Sequence, residues 1–198
     1  MDFKLTLRQA IRVCAMSIVS VAFVFGLSAP VSADECKNRG DLDSRFCDAD
    51  GDLVADMPTD ASKWLDPDTL IFSYTPVEDP SVYENVFTEF MDYLSKATGK
   101  KVKWYGAESY AAQVEAMRSG RLHVAGISTG PTVFGVNLAG YVPIAIMGKH
   151  DGRFGYKLQL ITHKSSDITK VSDMKGRNIA HVTPSSNSGN QAPRALFK

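Results

Sequence analysis

Two short stretches carry the side chains best suited to chemistry: Ser128-Thr129-Gly130-Pro131, and Thr183-Pro184-Ser185-Ser186-Asn187-Ser188-Gly189. Each follows an apolar run of strand character and opens a stretch of helical character. Hydroxyl and amide groups there donate hydrogen bonds without formal charge, and a helix start adds unpaired N–H groups and partial positive charge. Such a place suits a small tetrahedral oxyanion. Ser, Thr and Asn are also preferred helix caps, so either stretch alone is explained as well by capping. Two of them, both at strand ends, turn the reading toward ligand binding.

Other chemistry has little support. His123 and His181 fall within strand patterns and read as packed, while His150 and His163 lie in or beside turns. Glu78, Asp79 and Glu84 stand where a helix start already favours acids. No nucleophile elbow, phosphate-binding glycine loop, zinc spacing or dinucleotide fingerprint occurs. The expectation is a protein that is not an enzyme. The 22 basic and 22 acidic residues cancel, which argues against nucleic acid as a partner.

The first 33 residues read as a secretory signal. Lys4, Arg8 and Arg12 precede an apolar run, and Ala29-Pro30-Val31-Ser32-Ala33 offers small residues for cleavage after Ala33. Export to an oxidising compartment is therefore expected, and with Cys14 removed, Cys36 and Cys47 form an even pair that reads as a disulfide. Between residues 34 and 68 the composition is polar and aperiodic, as in a loop-rich extension. Within it, Asp48, Asp50, Asp52 and Asp56 echo a calcium loop of hard oxygen ligands. The glycine and the last acid of that pattern are misplaced, so a solvated acidic turn is the competing reading.

From residue 69 onward, strand and helix patterns alternate. Apolar runs predict strands over 70–74, 101–105, 122–127, 141–147, 156–162 and 178–182. Helical spacing covers 82–98, with Gly99 as its stop, then 110–119 with Val114 and Met117 inward, then 131–138. A short helix is expected at 171–174, and another begins near Gln191. This alternation predicts an α/β fold with a mostly parallel sheet covered on both faces.

The serine-rich stretch followed by Ala192-Pro193 resembles the anion loop of the periplasmic phosphonate-binding proteins. Ser73-Tyr74-Thr75-Pro76, Ala116-Met117-Arg118-Ser119-Gly120-Arg121-Leu122 and Asp173-Met174-Lys175-Gly176 resemble that family in order and spacing, from about Thr69 to the C-terminus. The resemblance implies a type II periplasmic binding fold, in which two α/β lobes close on a phosphorus oxyanion (phosphonate, phosphite or phosphate) and dock on the permease of an ABC importer. It implies that Ser186, Asn187 and Ser188 bind from the second lobe and Ser128 and Thr129 from the first. Ile127 stands where several relatives carry an aromatic, leaving Tyr74 and Tyr156 as candidates to line the cleft. The first lobe is then expected over 69–162, and the second, over 163–198, as only begun. A sensory protein serving a membrane kinase and a secreted phosphate-ester hydrolase are the alternatives.

Overall fold

The computed structural model describes residues 36–197; the expected signal segment lies outside the described residues. Strand β1, Thr69–Tyr74, is the centre of a three-stranded parallel sheet of order β2-β1-β3. β2 spans Lys101–Trp104 and β3 spans Val124–Gly126. Thr69 pairs with Lys101 on one side of β1, and Tyr74 with Gly126 on the other.

Alternate residues of β1 meet different layers, as strand geometry requires. On one face Phe72 packs with Phe87, Phe90 and Trp104, their ring centroids 5.3, 5.0 and 5.8 Å from its own. Those rings tie the sheet to helices α1, Pro80–Val86, and α2, Thr88–Thr98. On the other face Ile71 joins the cluster of Ala116, Met117 and Leu122. Ala116 and Met117 belong to α3, Tyr110–Arg118, on which Val114 and Met117 are buried as its spacing predicts. Helix α4, Thr129–Ala139, packs against α3 and ends at Gly140, whose φ of +65° suits a residue without a Cβ. His123 is structural: its N–H bonds the Ile71 carbonyl, and its Nδ1 accepts the Ile71 N–H at 3.0 Å. Burial holds its pKa below the usual value.

Several expectations need correction. The helix expected over 82–98 is two helices, because Phe87 takes φ −95° and ψ 6° as its ring enters the aromatic cluster. Val82 and Val86 consequently stay exposed. The stretches 141–147, 156–162 and 178–182 are not strands; among the described residues, the pairing outside the sheet is a bridge between Gly148 and Phe154. A strand needs a hydrogen-bonding neighbour, and among the described residues none lies beside these segments. Pro143 also removes a ladder donor. Their apolar side chains stay in solvent, with Ile144 88% and Ile161 92% exposed. The turn at Val171–Met174 is 3-10 in character, and the C-terminal helix α5, Ala192–Leu196, follows a π-turn over Asn187–Gln191.

The polar extension folds onto the sheet unit. The Cys36–Cys47 disulfide closes its first loop. Arg45 reaches out of that loop to two helix C-termini, donating to the Leu138 carbonyl at 2.7 Å and the Arg118 carbonyl at 3.4 Å. Asp43, held below the usual carboxylate range chiefly by its hydrogen bond from Arg45, donates its own N–H to the Asn137 carbonyl. The Phe46 ring lies against Gly140, where a Cβ would come 2.7 Å from it. No helix among the described residues is long and apolar enough to cross a membrane.

Candidate functional site

All three strands run the same way, so their carboxyl ends share one edge of the sheet, where ligands of open parallel sheets bind. Thr75 follows β1 there, and Ser128 lies two residues beyond β3. Their hydroxyl oxygens are 2.9 Å apart. Ser128 is the residue before α4, yet its side chain makes no capping bond. Capping therefore does not account for it. The α4 start leaves the N–H groups of Thr129 and Gly130 without intrahelical acceptors, as at any helix start.

The serine-rich stretch is a closed turn. Ser186 donates its N–H to the Thr183 carbonyl, and its Oγ accepts the Gly189 N–H at 3.2 Å. The Asn190 amide donates to the Pro184 carbonyl at 2.8 Å. Here the side chain of Ser186 does cap, and it is buried to 8% exposure. Asn187 is exposed, and Ser188 is half-buried and accepts the Tyr156 hydroxyl at 2.8 Å.

Gly130 brings the two stretches together. A Cβ at Gly130 would strike the Ser185 carbonyl oxygen and come 3.1 Å from the Asn187 nitrogen. The backbone of the serine-rich turn thus lies directly against the first turn of α4. The Ser128–Thr129 helix start and the backbone of the serine-rich turn are therefore neighbours, with Ser128 half-buried and Thr129 exposed, and none of these residues carries a formal charge. That composition can hold an oxyanion by oriented dipoles.

The remaining candidates divide. Tyr74 stands at the same sheet edge, half-buried against Gly126, with its ring 4.7 Å from Phe87 and 5.0 Å from Tyr83. Its hydroxyl donates to Met147 Sδ, so it reaches neither hydroxyl-bearing turn. Tyr156 is 74% exposed and joins the site through Ser188 alone. Sequence reasoning gave Thr75 and Gly130 no part of their own in the site, though the structure puts one against Ser128 and the other against the serine-rich turn. A hydroxyl placed just after the central strand and a glycine in a first helical turn were the available signals for them.

The acidic loop is a separate feature. Carboxylate oxygens of Asp48, Asp50 and Asp52 lie within 4.8 Å of one another. Asp48 is 1% exposed and spends its oxygens on the N–H groups of Gly51, Asp52 and Leu53. Asp56 turns instead to the Ala49 N–H at 2.8 Å. The donor set has the hardness of a calcium site, but most of its buried member's capacity is already used by the backbone.

The family model of ABC-transporter phosphonate periplasmic substrate-binding proteins matches residues 72–198. The chain belongs to this family. Among similar proteins, a phosphate-import protein PhnD of Mycolicibacterium smegmatis is 30% identical over 146 residues, covering 71% of this chain and 45% of that protein. A crystal structure of a binding protein component of an ABC phosphonate transporter from Pseudomonas aeruginosa superposes with a TM-score of 0.59 at 24% identity. It covers 66% of this chain and 44% of that one and supports the periplasmic binding protein fold. The chain spans less than half the length of either relative. The family is one of substrate-binding proteins, which bears out the expectation that the chain is not an enzyme.

Proposed function

We propose that this chain captures a small phosphorus oxyanion (phosphonate, phosphite or phosphate) and presents it to the permease of an ABC importer. The observation that carries this reading is the close approach at Gly130, which sets the Ser128–Thr129 helix start against the Ser185–Ser188 turn. Ser128, Thr129, Ser186, Asn187 and Ser188 are the ligand-binding residues in this proposal, with Thr75 orienting Ser128. The two relatives are named for phosphate and for phosphonate; a tetrahedral phosphorus bearing at least three oxygens is common to both. Tyr156 fixes Ser188, and Tyr74 packs the sheet edge beneath.

The lobe assignment, 69–162 with a second lobe from 163, is part of the same reading. So is export to the periplasm, with residues 1–33 removed and the Cys36–Cys47 bond formed after export. The test is isothermal titration calorimetry of the intact chain against phosphite, methylphosphonate, 2-aminoethylphosphonate, phosphate and sulfate. Tight binding of one phosphorus ligand is expected, with sulfate weaker. The double variant Ser186→Ala, Ser188→Ala removes two hydroxyls, each charge-assisted bond contributing about 1.5–3 kcal/mol. An affinity unchanged in that variant would remove the serine-rich turn from the site.

A further inference from the structure

We propose that Gln113 is a positioning residue for the oxyanion site, an inference that rests on the proposed oxyanion binding and deepens it. Gln113 lies on α3 and is completely buried, at 0% exposure. Its Nε2 donates to the Gly126 carbonyl at 3.2 Å and to the Ser73 Oγ at 3.4 Å. Ser73 in turn donates to the Tyr74 carbonyl. Tyr74 and Gly126 are the last register pair of β1 and β3. The amide therefore fastens the two strands where their own ladder stops.

The site begins immediately past that last pair. Thr75 is the next residue after β1, and Ser128 comes two residues after Gly126; their hydroxyls meet at 2.9 Å. With no ladder beyond Gly126, the spacing of Thr75 and Ser128 depends on how the strand ends are held. Gln113 holds both ends from within the α3 layer.

The side chain is poorly explained by packing. Its Oε1 is buried with no hydrogen-bond partner among the described residues. Reversing the amide would set that oxygen against the Gly126 carbonyl, so the orientation is decided by Gly126. An apolar side chain of equal length would fill the same space without burying an unpartnered oxygen. A buried amide that bonds through one atom and leaves the other unpartnered is the expected mark of a supporting shell around a binding site.

The experiment compares Gln113→Met, Ser73→Ala and the double variant in the intact chain. Three readouts are taken: oxyanion affinity by calorimetry, thermal stability, and hydrogen exchange of the amides from Ile127 to Gly130. Gln113→Met is expected to change the melting temperature little, since removing the unpartnered Oε1 offsets the lost Nε2 bonds, while weakening affinity about tenfold and speeding exchange at those amides. Ser73→Ala, which removes one of the two amide bonds and is the milder change, is expected to act in the same direction. The double variant should lose no more affinity than Gln113→Met alone, because both act through one link. Affinity within twofold of wild type together with unchanged exchange would overturn the proposal, as would additive losses. If the unsubstituted chain binds none of the oxyanions, the functional reading fails, and the exchange readout still decides whether Gln113 holds the strand ends.

Discussion

Gly130→Ala is the substitution with the most to say about the site. The new methyl group would stand 3.1 Å from both the Asn187 nitrogen and the Ser185 carbonyl carbon, and closer still to the Ser185 oxygen. Ordinary carbon–oxygen contacts begin at roughly 3.3 Å. The obstacle is backbone, so no flexible side-chain tip can yield, and the serine-rich turn must retreat by roughly 1 Å or more. A hydrogen bond of about 2.9 Å stretched that far is lost, passing the limit of about 3.6 Å beyond which no bond is counted. Losing one charge-assisted bond at about 1.5–3 kcal/mol weakens the oxyanion complex roughly 10- to 150-fold. Fold stability should fall by no more than about 2 kcal/mol. Overpacking costs about 1–3 kcal/mol, and alanine regains up to about 1 kcal/mol over glycine within a helix. Calorimetry with the ligand selected from the oxyanion panel, beside a thermal melt, measures both. Gly135→Ala on the same helix is the control. Its methyl meets only the movable ends of Ile127 and Met117, at 3.3 and 3.5 Å, so affinity should hold. A Gly130→Ala dissociation constant within twofold of wild type would refute the idea that the two turns share a ligand.

Three further outcomes are expected of the fold. Reducing the Cys36–Cys47 bond, or replacing both cysteines by serine, should lower unfolding free energy by about 3 kcal/mol in a denaturant titration, since the bond spans 11 residues. Asp48→Ala should cost about 2–4 kcal/mol in the same titration, because three N–H groups lose a buried charged acceptor. For His123, burial places the folded pKa below the unfolded value of 6.5. Its contribution is therefore complete above pH 6.5 and falls as pH drops from there toward the folded pKa. Melting temperature should decline over that window, and the decline should shrink in His123→Gln.

The core of the sheet was legible because its signals are local. Leu70, Ile71 and Phe72 form an uninterrupted apolar run, and the alternation of helix between strands required parallel pairing. Val114 and Met117 mark the inner stripe of α3 by spacing alone. The hydroxyl-bearing turns were legible for the same reason, each sitting at a change of periodicity. The stretch 141–147 shows the limit of that logic. Its composition is that of a strand, but pairing is a property of two segments, and none of the described residues pairs with it. Thr75 and Ser128 are 53 residues apart, and Gln113 is 40 from Ser73; no local pattern announces such contacts. Gln113 did leave one trace, a polar side chain on the buried stripe of α3 beside Val114 and Met117.

The order of the strands has a bearing on how the chain acquires its shape. β1 comes first in the chain yet lies between two strands synthesised after it. Thr69 must wait 32 residues for Lys101, and Phe72 must wait 52 for Val124. Such non-local pairing makes the closing of this sheet a slow step relative to helix formation. Once Gly126 has emerged, though, every strand of the sheet is present, and Ser128 comes almost at once while Ser186 is still 60 residues away. The scaffold can thus be assembled before the second half of the proposed anion site exists, and the serine-rich turn arrives at a surface already formed to receive it.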